Sequence, residues 1–167
     1  MLRCVLLAVV FFSSGLAARA AAGQGTAAAC LTTVPQNPSF VPPLPYAQKP
    51  PNGTFWYGTE SLWTGLPIEG TWSMRDNVLK SKGYRTKLVY WQQGFDWRKT
   101  PHPELVVEAR RLDSGAHPVA AEHSNAVFVT SNTPAIMTAI DIPTAGCWEL
   151  TAQYGGHTLS FVVSVEP

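Results

Sequence analysis

Two strands that meet at a glycine pair constrain this chain more than any other feature. From Gly146 to Val165 the sequence alternates with a period of two. Trp148, Leu150, Ala152 and Tyr154 share one face, and Leu159, Phe161, Val163 and Val165 continue that face on the return. Glu149, Thr151, Gln153, Thr158, Ser160 and Ser164 take the other face. The connecting Gly155-Gly156 pair suits a two-residue loop with positive φ, which glycine adopts at little steric cost and which sets the hairpin register. An alternation held over both arms calls for a sheet with one buried face. It excludes a helix here.

The rest of the chain from residue 54 follows suit. Strands are expected at Thr54–Thr59, Ser61–Leu66, Gly70–Met74, Tyr84–Gln92, Glu104–Leu112, Ala126–Thr130 and Ala135–Ile142, before the final hairpin. In Glu104–Leu112 the residues Leu105, Val107 and Ala109 should face inward. For Tyr84–Gln92 the pattern leaves open whether Thr86, Leu88 and Tyr90 or Lys87, Val89 and Trp91 point to the core. Arg75–Lys82 is polar and reads as a loop, with Asn77–Ser81 the one stretch that has room for a helical turn. About eight or nine short strands at a spacing of about ten residues, with no helical period and no repeat, predict an all-β chain. The expected architecture is an immunoglobulin-like antiparallel β-sandwich with Greek-key connections over residues 54–167, preceded by an extended Pro-rich N-terminal arm.

Residues 1–22 read as a signal peptide: Arg3, the apolar run Val5–Phe12, and small residues that suit cleavage near Ala20 or Ala22. Residues 23–53 form the arm, whose prolines at 35, 38, 42, 43, 45, 50 and 51 exclude a helix or a central strand. No stretch beyond the leader is apolar enough to span a bilayer, so the cleaved product is expected to be secreted or periplasmic. A minority alternative is a lipid anchor at Cys30, after the small uncharged run Thr26–Ala29. Loss of Arg3 and Arg19 takes Lys+Arg from 12 to 10 against Asp+Glu 11, a net charge of −1. That balance argues against nucleic acid and leaves a protein or glycan, in the envelope or outside the cell, as the expected partner. Of the 3 cysteines, Cys30 and Cys147 lie beyond the leader. In an oxidising compartment they are expected to pair. Trp148 faces the core, so Cys147 faces out, where a chain lying on the surface from Cys30 can reach it.

Several segments together resemble a family of secreted bacterial proteins of unknown function. They are the cysteine soon after the leader, the Pro-rich arm, Phe55-Trp56-Tyr57-Gly58 with Ser61-Leu62-Trp63, Tyr90-Trp91, Leu105–Asp113, and Gly146-Cys147-Trp148-Glu149-Leu150-Thr151. The resemblance covers most of the chain beyond the leader and implies a single immunoglobulin-like sandwich outside the cytoplasm. It implies no activity, substrate or catalytic residue.

Candidate chemistry is sparse. His102, His117, His123 and His157 show neither the i, i+4 nor the i, i+2 spacing that aims two imidazoles at one ion, and no metal or cofactor is expected. No Gly-x-Ser-x-Gly elbow occurs, and Cys147 lacks an evident activating base. Asp96, Glu104, Glu108 and Glu149 lie on different elements, so no paired carboxylates for glycoside hydrolysis can be read. A loop-built hydrolase is the weakest reading, and the chain is not expected to be an enzyme. Two adjacent strand arginines point to opposite faces, so Arg111 should turn inward and seek Asp113. The best functional lead is Trp91, Gln93, Phe95, Asp96 and Trp97, with Arg98 beside them. Their aromatic faces suit a sugar ring or an apolar partner, and their polar groups suit directional hydrogen bonds. The competing structural reading has Trp91, Phe95 and Trp97 plugging one end of the core, and Trp56 and Trp63 pose the same choice. The expected function is a binding or interaction module, with a carbohydrate-binding module as the alternative.

Overall fold

The computed structural model describes residues 29–73, 83–129 and 133–167. The expected leader, the first part of the arm, and Arg75–Lys82 lie outside these residues. In chain order the strands are β1 (Thr54–Thr59), β2 (Leu62–Pro67), β3 (Thr71–Ser73), β4 (Tyr84–Trp91), β5 (Val106–Arg111), β6 (Val119–Ala120), β7 (Asn125–Val129), β8 (Thr133–Ile142), β9 (Gly146–Tyr154) and β10 (His157–Glu166). They form two five-stranded sheets, ordered β1-β2-β4-β8-β7 and β3-β10-β9-β5-β6. The chain is all-β, a two-sheet sandwich with no helix among the described residues.

The hairpin β9–β10 pairs from His157↔Tyr154 to Val165↔Gly146, around Gly155 and Gly156 with φ of 56° and 80°. Trp148, Leu150, Ala152, Phe161, Val163 and Val165 are buried, as their parity requires. The opposite sheet supplies Phe55, Leu62, Leu66, Leu88, Ile136, Ile140 and Ile142 to the same core. This settles the open face of β4: Tyr84, Leu88 and Tyr90 point inward. On β5 and the residue just before it, the inward row is Leu105, Val107 and Ala109. Outside that strand pair Arg110 bonds Glu149 at 2.8 Å across the ladder.

One pairing departs from the antiparallel expectation. The short strand β3 runs parallel to β10, with Ser164 opposite Thr71. After β2 the chain crosses to the other sheet and arrives in the direction β10 already has, and no local turn imposes a reversal. β6 escaped the strand reading altogether, since two residues are too short for any alternation to show.

Cys30 and Cys147 form a disulfide with Cα atoms 5.4 Å apart, across a separation of 117 residues. Cys147 is on the outer face, as parity demands. Yet it is only 7% exposed, so the outward-facing sulfur is buried. Residues 29–53 contain no strand. Thr33 lies against the open edge of β10: its amide donates to Val162 O at 2.9 Å, and its hydroxyl accepts from Val162 N at 2.8 Å. The Tyr57 hydroxyl bonds Ser160 O at 3.1 Å, and Ser164 N bonds Gly70 O at 2.8 Å. An edge that would offer a row of bare amides is thereby occupied.

The segment then covers the outer face of the other sheet. There Trp63 is fully buried beneath Tyr46 and Phe40, with ring centroids 4.8 and 5.9 Å away. Trp56 and Trp91 meet edge to face at 5.1 Å beside them. These residues form a second hydrophobic cluster separate from the inter-sheet core. Trp63 is therefore neither an end plug nor an open ligand face, and Trp56 is not an end plug.

Candidate functional site

The segment after β4 is shaped by short-range hydrogen bonds. Phe95 N donates to Gln92 O at 3.2 Å, with Gly94 at φ 76° in the turn. The Gln92 carbonyl also accepts the Tyr46 hydroxyl at 2.6 Å, which ties the arm to this turn. Burial raises the Tyr46 hydroxyl pKa, opposed by the backbone groups of Gly94 and Phe95. Asp96 organises the next turn. Its carbonyl accepts Lys99 N and Thr100 N, and its Oδ1 accepts Arg98 N at 3.0 Å. This is the local bonding that suits Asp to turns. Further on, Pro101 O accepts Ala126 N at 3.0 Å, which docks the loop on edge strand β7.

The three aromatic rings of the segment find three different neighbours. Trp91 joins Trp56 on the outer face. Phe95 is buried at the end of the core, edge to face with Tyr154 at 6.1 Å. Trp97 is half-buried, its ring 5.1 Å from Phe128 at an interplanar angle of 80°, with the Arg98 guanidinium 4.7 Å above its centroid. Gln93 is exposed, its backbone N–H donating to Glu60 O at 3.1 Å. Asp96 lies 3.8 Å from Lys99 Nζ.

What the fold assembles is a cleft of about 480 Å³ lined by Phe95, Asp96, Trp97, Arg98, Phe128 and Pro134. Phe128, on β7, is 49% exposed. Sequence reasoning missed Phe128 and Pro134 because they come from the β7–β8 pair, where they sit opposite each other. The available signal was parity: Phe128 shares the inner-face row of Ala126, which pairs with core Ile136, and an inward Phe at the end of an edge strand needs a cover or a partner. Chemically the cleft offers an apolar corner with a guanidinium and a carboxylate on its rim.

The displaced acid titrations lie elsewhere. Asp113 is held below its ordinary carboxylate range, chiefly by its hydrogen bond to Arg111, whose Nε is 2.5 Å from Asp113 Oδ1. Arg111 also donates to Thr144 Oγ1 at 3.0 Å, so it anchors a loop, as expected. Glu122 is lowered by Arg85, 2.6 Å away, which also holds Asp141 at 2.8 Å. His102 contacts Asn125 at 3.0 Å. Among the described residues no three His, Cys, Asp or Glu side chains gather to hold a metal, and no helix is long and apolar enough to cross a membrane.

No protein-family model matches the chain, and no curated protein matches it. The chain is similar to the crystal structure of a DUF4426 family protein from Pseudomonas aeruginosa PAO1. The two share 14% identity at a TM-score of 0.38, over 71% of this chain and 98% of that one.

Proposed function

We propose that the chain is an exported immunoglobulin-like binding module, not an enzyme, and that it contacts a protein partner through the Asp96–Trp97–Arg98–Phe128 cleft. Export is supported by the Cys30–Cys147 disulfide, which suits an oxidising compartment. The immunoglobulin-like reading is supported by the two-sheet order and by Trp148 buried at the start of the penultimate strand. A non-enzymatic role is supported by the placing of the carboxylates: Asp113 and Glu122 serve in ion pairs with arginines away from the cleft, and Asp96 is the one carboxylate among the cleft's described lining.

One observation carries the choice of partner. Trp97 and Phe128 stand at 80°, and Arg98 lies over the Trp97 ring. A flat sugar ring wants a free aromatic face or coplanar rings. A perpendicular corner, rimmed by Arg and Asp, suits an inserted apolar side chain with a charged neighbour, the anatomy of a protein hot spot. The test replaces Phe128 by a photoreactive phenylalanine analogue in the producing cell, with Ser160 as the control position. The expected result is a discrete cross-linked protein from position 128 only, lost on adding Arg98→Glu. Equal adducts from both positions would count against the cleft. A saturable tryptophan emission change on glycan addition, abolished by Trp97→Ala, would move the reading to a carbohydrate-binding module.

A further inference from the structure

Strand β2 follows β1 along its whole length but leaves β4 after two residue pairs, Trp63↔Trp91 and Thr64↔Tyr90. The same register, continued, would set Gly65 opposite Val89 and Pro67 opposite Lys87, and those pairs do not form. At the point of divergence the Thr64 hydroxyl donates to the Val89 carbonyl at 2.8 Å and closes the ladder. Strand backbones alternate, so Lys87 turns its amide and carbonyl to the same side as Val89, toward the gap that β2 leaves.

The gap is a cavity of about 200 Å³. Trp56, Leu66, Leu88 and Trp91 wall it, and Trp72 and Phe161 of the opposite sheet form its floor. One residue marks it as a window into the core. Thr86 sits in the inward row of β4 with Tyr84, Leu88 and Tyr90, yet it is half-exposed where they are buried. At the mouth lies exposed Lys87, the one charged residue among the described lining, with no ion-pair partner among the described residues.

Size and charge together select a ligand class. A dry cavity of roughly 150 Å³ lined by apolar side chains takes up benzene. The fork therefore has room for one ring or a short alkyl chain, and not for an added strand. Aromatic walls would also draw a cation, but an unpaired ammonium at the mouth repels one. We propose that the β2–β4 fork binds a small amphipathic carboxylate, its ring or short chain between Trp56, Leu88 and Trp91 and its carboxylate on Lys87 Nζ. The site is separate from the Trp97 cleft and does not depend on the reading given to it.

The test titrates the disulfide-bonded chain with phenylacetate and with 2-phenylethanol, followed by amide and indole NMR shifts. Phenylacetate should give saturable shifts at Gly65, Lys87 and Leu88 and at the Trp56 indole. Lys87→Gln should weaken phenylacetate by about tenfold, the scale of a hydrogen bond to a charged group, and leave 2-phenylethanol unchanged. Thr86→Phe should fill the cavity and abolish both. Gly65→Val narrows the lip as a second variant. A Cβ there meets the Trp56 ring at an ordinary 3.6 Å, so the strand tolerates a side chain. Absence of saturable shifts at these positions would overturn the proposal. So would equal affinity for acid and alcohol, indifference to Lys87→Gln, or undiminished binding in a folded Thr86→Phe or Gly65→Val chain.

Discussion

The molecule buries aromatic residues in two ways. Between the sheets, Trp148 and Phe161 are covered by strands that carry their own hydrogen-bond ladders. On the outer face, Trp63 is as deeply buried, but its cover is a Pro-rich segment with no ladder. That cover is held near its start by a disulfide and farther along by the Tyr46 hydroxyl on Gln92 O. Equal burial thus rests on unequal supports. The first is cooperative with the fold, and the second depends on a tether that limits how far the arm can stray.

The largest expected effect lies in the first region. Trp148→Ala removes a fully buried ring and its Nε1 bond to Thr144 O at 3.0 Å, and should cost about 3–5 kcal/mol by denaturant midpoint. In the second region, Cys30→Ser should cost about 2–4 kcal/mol, since the bridge closes a long loop. It should also shift tryptophan emission to the red as water reaches Trp63. A stability loss with unchanged emission would break the comparison, because the arm would then stay down without its tether.

Tyr46→Phe keeps the ring over Trp63 and deletes one hydrogen bond, a loss of about 1 kcal/mol. Its emission should move far less than that of Cys30→Ser. The smallest effect concerns acid. Arg111 depresses the folded-state pKa of Asp113, so this pair's contribution is present above the unfolded carboxylate pKa. It is lost as pH falls through the lower folded value. The pair is part-exposed, so Asp113→Asn should lower stability by about 0.5 kcal/mol near neutrality and flatten the acid limb of the stability profile. An undiminished acid limb in that variant would exclude the pair as a contributor.

Much of this was legible along the chain. The inward rows of β5, β9 and β10 and the Arg111–Asp113 pair follow from strand parity, and so does the outward cysteine beside an inward tryptophan. Parity is a local property, set by the alternation of Cβ directions. Applied to β1 and β2, a step the sequence reading left undone, the same rule puts Trp56 on the face opposite Phe55 and Tyr57, and Trp63 on the face opposite Leu62. Outward tryptophans of that kind ask for a cover, and Phe40 and Tyr46 of the arm supply it. The Trp91–Trp97 segment was less legible because its rings lie on a strand end and a loop, where no alternation applies.

By itself, then, the amino-acid order determined the β class, the faces of the long strands, the tight glycine turn and which two sulfurs could meet. Each is a consequence of backbone geometry within a few residues, or of one surface facing another. The tertiary structure alone decided that Trp91, Phe95 and Trp97 part company, that Phe128 joins Trp97, that β3 runs parallel to β10, and that β2 splays from β4. Those outcomes depend on which distant element arrives as a neighbour. That choice is made by the packing of two whole sheets, and no single segment encodes it.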